Sequence, residues 1–330
     1  MTTPSIDMVA EAAGVHRSTV SRAFSRPEAV KAETREHILR VAESLGYTMS
    51  PLAQALRRKT SNLVPLIVPD ITNPFFAELA KTMTSAAGQA GYQLLLCVTD
   101  GDSARTENYL TSMNAMYAPF GVIAPSTRFD IDALREFAFW RRVVVIDRMD
   151  DDPSVPTVTV DSARGIQLAV EHLTGLGHRT IAYLAGISGT HTAQDRREAY
   201  LRFAAEASVA PVILDGGVGS TASERAVEQY LGLDPRPTAV IAANDMLAFG
   251  FMSALGAHGI RVPEEVSVVG FDGLALGETF NPALTTVRQP IADMGSIAIE
   301  LAQRLILGEV EHRVLVPELL VRRSTAAPRS

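Results

Sequence analysis

The chain has 330 residues, 47% of them apolar, with 30 Lys/Arg against 37 Asp/Glu and a single cysteine. That length and apolar share call for two or three packed units and exclude a disordered or low-complexity chain. One cysteine, Cys97, excludes an intrachain disulfide and accords with a reducing compartment.

No apolar run reaches the roughly 18 residues that a membrane helix needs. The polar start lacks a basic segment followed by an apolar one, so no signal peptide is expected and a cytoplasmic location is. Charge is unevenly spread. Residues 1–60 hold nine Lys/Arg and six Asp/Glu, although the whole chain carries −7. A basic head on an acidic body is the asymmetry expected when one end meets phosphate.

In chain order, Met8–Val15 is short, Ala-rich and apolar on one face, and Gly14 supplies a turn. The following His16-Arg17-Ser18-Thr19-Val20-Ser21-Arg22 carries arginines and hydroxyls outward. Two short helices across such a turn form a helix-turn-helix, whose second helix enters the DNA major groove. Pro27 falls in a loop. A third helix is predicted over Glu33–Leu45 and is closed by Gly46, with Val9, Val15, Val20, Ile38 and Leu45 as the head's core. Ser50–Arg58 is a fourth, very short helix, with Ser50 as its cap and Pro51 in first position. It is too short to hold alone in water, so DNA together with a partner subunit is a candidate to stabilise it. Lys59–Asn62 is linker.

From Leu63 the rhythm changes. Strands are predicted at Val64–Val68, Gln93–Val98, Gly121–Ala124, Val143–Ile146, Ile181–Leu184, Val212–Leu214, Ala239–Ala242 and Val266–Gly270. Helices at Phe76–Ala90, Gly165–Leu176, Thr192–Ala207, Ala222–Leu231 and Met246–His258 fall between them. Met294–Leu307 is a last helix, followed by β-like Arg313–Val316 and Leu319–Arg322. Continuous apolar strands alternating with helices predict doubly wound parallel sheets.

Polar residues follow the strand ends: Asp70 and Asn73, Asp100, Ser126 and Thr127, Asp147 and Arg148, Asn244 and Asp245, Asp272. Ligands of open α/β sheets bind in the crevice outside those ends. No Gly-x-Gly-x-x-Gly follows a strand and no Walker-type Gly-Lys-Ser/Thr occurs. The seven histidines have no metal-ligand spacing, and no Gly-x-Ser-x-Gly elbow is present. No enzymatic activity, metal or cofactor is therefore expected.

The order of motifs carries a resemblance. Val9-Ala10, Ala13-Gly14-Val15 and Thr19-Val20-Ser21-Arg22 lead to Thr34-Arg35-Glu36 and Leu45-Gly46-Tyr47. Asp70-Ile71-Thr72-Asn73-Pro74-Phe75-Phe76 follows, then Gly177-His178-Arg179, Ala243-Asn244-Asp245, Val269-Gly270-Phe271-Asp272 and Leu284-Thr285-Thr286-Val287. Over nearly its whole length the chain resembles the LacI/GalR family of bacterial transcription regulators. The resemblance implies an all-α helix-turn-helix head over residues 1–49 and a hinge helix and linker over 50–62. The body, 63–330, is then like periplasmic binding proteins, with two doubly wound parallel-sheet subdomains, one of about 63–160 plus 291–320 and one of about 161–290 plus 321–330. It further implies a homodimer, a pseudo-palindromic operator duplex and a small hydrophilic effector such as a sugar. The sign of the response, induction or corepression by a nucleoside or other metabolite, stays open, and a binding protein without DNA function is the remaining alternative.

By the same resemblance, Arg17, Ser18 and Arg22 face bases. Arg17 is expected on a guanine, the commonest specific contact, with a phosphate contact as the alternative. Ser5, Ile6, Thr19 and Ser21 are expected on phosphates, and Leu56 as the wedge in the minor groove. His16 stands where the family has a serine-like cap, giving a weaker cap or an imidazole contact to phosphate. Gln54 replaces a commoner arginine. In the crevice the resemblance implies Asn73, Phe75, Phe76, Ser126, Asp147, Arg148, Arg196, Asn244 and Asp272 as effector residues. Phe76 is either wall or core, and Asp147 with Arg148 either an internal ion pair or ligand contacts. Val209–Ser220 lacks the family's aromatic lid near Val218, which leaves an open pocket or closure by another group such as Phe280. His178 is expected to be structural.

Overall fold

The computed structural model describes residues 4–48, 55–56, 58–125, 135–148, 152–186, 191–217 and 219–329. The expected Ser50–Pro51 helix start, Gln54, Ser126, Thr127 and Val218 lie outside them. Two compact units appear, residues 1–62 with 112–119, and residues 63–111 with 120–330.

In the first unit, α1 spans Ile6–Ala12 and α2 Arg17–Ser25. The turn between them needs a left-handed residue, and Gly14 supplies it at φ +64°. Helix α3 covers Ala32–Ser44, one residue earlier than predicted at each end. Val9, Ala10, Ala13, Val20, Ala23, Ile38 and Ala42 form the core, while Val15 and Leu45 pack at its margin, half-buried. Phe24 and Tyr47 close one side edge-to-face, with ring centroids 5.9 Å apart.

The second unit holds two six-stranded sheets. The first has β1 (Leu63–Val68), β2 (Gln93–Val98), β3 (Gly121–Ile123), β4 (Val143–Ile146), β5 (Thr157–Val160) and β11 (His312–Leu315), in the order β11-β5-β4-β3-β1-β2, all parallel. The second has β6 (Thr180–Ala185), β7 (Ala210–Asp215), β8 (Ala239–Ala242), β9 (Ser267–Asp272), β10 (Thr285–Arg288) and β12 (Glu318–Leu320), in the order β12-β10-β9-β8-β6-β7. Here β12 alone runs antiparallel, against β10. Residues 318–320, grouped by the sequence with the first subdomain, therefore belong to the second sheet.

Helices α4 (Pro74–Gln89) and α11 (Ile291–Ile306) pack on each other and on the first sheet, and α5 (Ser103–Ala115) follows β2. On the second sheet, α6 (Ser162–Gly175) and α7 (His191–Glu206) form one layer, and α8 (Ser220–Leu231) and α9 (Asp245–Ala257) another. A short α10 (Leu276–Thr279) precedes β10. The chain crosses between sheets three times, from β5 into α6, from β10 into α11 and from β11 into β12.

The runs Thr157-Val-Thr-Val and Thr285-Thr-Val-Arg were not predicted as strands, nor Ser103–Ala115 as a helix. Their apolar content is low, but Thr157, Thr285 and Thr286 are fully buried. A β-branched threonine fills a sheet position as valine does, provided its hydroxyl finds a partner. Among the described residues no helix is long and apolar enough to cross a membrane.

Candidate functional site

Two surfaces gather the residues singled out by the sequence. The first is the outward face of α2. His16 caps it, its Nδ1 accepting the Ser18 N–H at 3.2 Å, so imidazole does here what a hydroxyl does in most caps. The same Nδ1 lies 2.9 Å from Ser18 Oγ, and Arg22 donates from Nε to the Ser18 carbonyl (3.1 Å) and from Nη2 to Ser18 Oγ (3.2 Å). His16, Ser18 and Arg22 are thus a linked set on an exposed strip that also carries Arg17. Ser5 caps α1, accepting the Met8 N–H at 3.3 Å.

Two residues expected on phosphates, Ser21 and Ile6, are less exposed than this strip. Ser21 is 9% exposed, and its carbonyl accepts from Ser25 Oγ at 2.7 Å. By helical angle it lies about 40° from Arg17, so the packing around it, and not the turn of the helix, encloses it. The Ile6 side chain is half-buried and packs on the head core. Thr19 is half-buried, at the edge of the strip. Leu56 projects into solvent at 66% exposure, and Arg58 donates to the Ser25 carbonyl at 3.1 Å.

The second surface lies at the carboxyl ends of the two sheets. Arg196, on α7, is buried. Its Nη1 donates to the Ala243 carbonyl at 2.8 Å, its Nε reaches Ser162 Oγ at 3.4 Å, and its guanidinium lies 3.7 Å from the Phe271 ring centroid. Asp272 Oδ1, 3.7 Å from Arg196 Nη1, accepts from Gln289 Nε2 at 2.8 Å. The backbone holds Asp272 at φ +131° and Asp147 at φ +61°, uncommon settings that cluster where a site is built.

Two carboxylates, the half-buried Asp147 and the buried Asp272, lie in the field of this guanidinium, and the buried Asp245 lies beside Asp272. Burial pushes Asp147 up to about 6, and Arg196 only partly opposes it. Asp245 is likewise pushed up to about 6 by burial, against hydrogen bonds from Thr286 and the Leu274 N–H. Burial raises Asp272 well above the usual carboxylate range; Arg196 lowers it and Asp245 raises it further. The charge neighbour of Asp147 is therefore Arg196 rather than Arg148. A cavity of about 540 Å³ opens beside Asp147 and Arg148, bounded by Asp161, Ser162, Thr192 and Asp195 among others. A buried set of acceptors with one fixed guanidinium, next to a cavity of this size, is suited to a small ligand rich in hydroxyl or N–H donors.

The other expected effector residues divide. Asn73 and Asn244 spend their side-chain oxygens on helix caps, accepting from the Phe75 N–H at 3.1 Å and the Leu247 N–H at 2.8 Å. Phe75 is 3% exposed and belongs to the core. The half-buried Phe76, edge-to-face with it at 5.1 Å, keeps surface to offer. The half-buried Phe280 stacks on Phe249, with ring centroids 4.8 Å apart. His178 is structural, its two ring nitrogens engaged by Thr238 Oγ1 and the Ala326 carbonyl, each at 2.9 Å.

Sequence reading did not single out Gln289, Ser162 or Asp161. Gln289 is 3% exposed, and its Oε1 is buried without a partner although Nε2 is bound to Asp272. All three sit at crossovers between the sheets, after β10 and after β5, where no periodicity marks them. Only their place directly after a strand could have signalled them.

The profile described as "Bacterial regulatory proteins, lacI family" matches residues 5–50, and "Periplasmic binding protein-like domain" matches residues 170–325. The ribose operon repressor of Halalkalibacterium halodurans is 33% identical over 323 residues, covering 96% of this chain and 95% of that protein. The solved structure of the Lac repressor dimer bound to operator and the anti-inducer ONPF superposes with a TM-score of 0.87 at 26% identity, covering 99% of this chain and 100% of that one. A LacI family transcriptional regulator from Enterococcus faecium with bound ribose superposes with a TM-score of 0.74 at 27% identity, covering 81% of this chain and all of that one.

Proposed function

The chain belongs to the LacI family of bacterial regulatory proteins, and from that premise we propose that it is a transcriptional repressor that binds operator DNA as a homodimer and answers to a small polyhydroxylated effector. The exposed strip of His16, Arg17, Ser18 and Arg22 on a capped helix, beside a turn fixed by Gly14, carries the DNA half of this reading. Arg17 and Arg22 reach base edges, while Ser5 and Thr19 meet the phosphates that fix register. Leu56, apolar and exposed on the hinge, is the wedge at the minor groove.

The effector half rests on one observation, the buried Arg196 shared by Asp272 and Asp147, with Asp147 and the Arg196 partner Ser162 lining a cavity. Acceptors in excess of donors match the hydroxyls of a sugar, and the relatives named for ribose support that class. Effector binding shifts the relation of the two sheets at their three crossovers and, through the hinge, the affinity for operator. The relatives are transcription regulators rather than enzymes, and no catalytic role is assigned to any residue.

Selection of duplexes by the full-length protein from a random-sequence pool tests the reading. An enriched pseudo-palindrome bound at physiological salt about a thousandfold or more tighter than unrelated DNA supports it. Equal binding of all duplexes overturns it.

A further inference from the structure

Asp7 and Arg17 project from different helices of the head and meet, Oδ1 to Nη1, at 3.5 Å, with both side chains about two-thirds exposed. Asp7 lies in the first turn of α1, and Arg17 is the first residue of α2. So exposed a pair contributes little to folding stability, which leaves its placement to be explained by what Arg17 does. A carboxylate beside the recognition strip is costly near DNA, because Asp7 stands 3.5 Å from the Arg17 guanidinium and repels a phosphate brought to that side of it. Arg17 on a phosphate would bring two anions together; Arg17 on a base would not. Guanine offers O6 and N7 as paired acceptors in the major groove. The Asp7 contact uses Nη1 and leaves the Nε–Nη2 edge of the guanidinium to meet them. Arg22 differs, since Ser18 of its own helix holds that edge through Nε and Nη2.

We propose that Asp7 is a positioning residue for sequence readout, directing Arg17 to a guanine in the major groove and away from the phosphate backbone. This rests on the reading of the strip as a DNA-binding surface. Asp7 then acts on specificity and on non-specific affinity in opposite directions, which no purely structural role does.

Full-length protein and its Asp7→Asn, Arg17→Ala and double variants are titrated, by fluorescence anisotropy at several salt concentrations, against the enriched duplex, the same duplex with single guanines replaced, and an unrelated duplex. Asp7→Asn is expected to tighten binding to the unrelated duplex while lowering discrimination at one guanine about tenfold. Arg17→Ala is expected to abolish discrimination at the same guanine, and Asp7→Asn to add no further loss in that background. The proposal is overturned if Asp7→Asn leaves discrimination intact, or if its loss persists undiminished without Arg17. A loss with Arg17→Ala that is uniform over all duplexes, with a shallower salt slope, assigns Arg17 to phosphate and also overturns it. A pool that yields no enriched sequence removes the DNA-binding reading itself, and the proposal with it.

Discussion

Arg196 Nη1 and Asp272 Oδ1 stand 3.7 Å apart with their side chains 7% and 5% exposed, a buried pair in which the Ala243 carbonyl holds the arginine and Gln289 the carboxyl group. Removing one member of a buried pair leaves the other uncompensated, a loss of about 3 kcal/mol or more. Arg196→Ala is therefore expected to lower stability by about that amount in urea titrations near pH 7. In a thermal-shift screen of sugars and nucleosides it should also abolish the response of the wild-type protein. At about a hundredfold excess over the dissociation constant that response corresponds to roughly 2.7 kcal/mol.

The carboxylates give this site a pH dependence of unusual sign. An unfolded Asp147 titrates near 3.8, while burial in the folded protein holds it up to about 6. Between those values the folded state binds more protons, so stability from this group rises as pH falls from about 6 towards 4. Above about 6 the group is ionised in both states and its full penalty remains. Asp147→Asn should therefore stabilise the protein near pH 7.5 by on the order of 2 kcal/mol, with the gain shrinking towards pH 4. Asp245, also pushed up to about 6, should keep part of the wild-type slope in that variant. Chemical denaturation across pH reads both effects.

Gly165 sits where a Cβ would lie 2.7 Å from Phe271 Cε2 and 2.9 Å from Val287 Cγ1. Phe271 is the ring under the Arg196 guanidinium. Gly165→Ala is expected to cost about 1–3 kcal/mol through overpacking and to shift that ring. Effector affinity, read as the ligand-induced rise in Tm, should fall although no contact residue has changed.

How much of this site could be read from the chain depends on what each residue depends on. Arg17, Ser18 and Arg22 were legible because helical spacing alone puts them on one strip; the same spacing puts Ser21 there too, about 40° from Arg17, so its burial is set by packing and was not legible. Asp147 and Asp272 were legible from their position after apolar strands. The division of labour between Phe75 and Phe76 was not, because adjacent residues at a helix start point 100° apart and only packing decides which faces inward. Nor was the withdrawal of the Asn73 and Asn244 oxygens into caps, since cap and ligand contact draw on the same residue types. Gln289 was hidden because its partner, Asp272, is brought to it only by the pairing of β9 with β10.

The end of the chain is part of the second sheet's packing. Ser324 is fully buried, its Oγ donating to the Val268 carbonyl at 2.6 Å and accepting the Thr285 N–H at 2.8 Å. Ser324→Ala would leave two buried main-chain groups unpaired, a cost of about 1–3 kcal/mol. Equilibrium unfolding should register this loss, while the recognition strip's discrimination among duplexes should not change.

Coupling between the crevice and the recognition strip is tested most directly by measuring both affinities on one sample. Operator affinity is titrated with and without the ligand that raises Tm, and ligand affinity with and without operator. A repressor released by its effector requires the ligand to weaken operator binding, by about 5- to 150-fold for typical coupling. The operator must weaken ligand binding by the same factor. A ligand that occupies the crevice and raises Tm, yet leaves operator affinity unchanged, would contradict it.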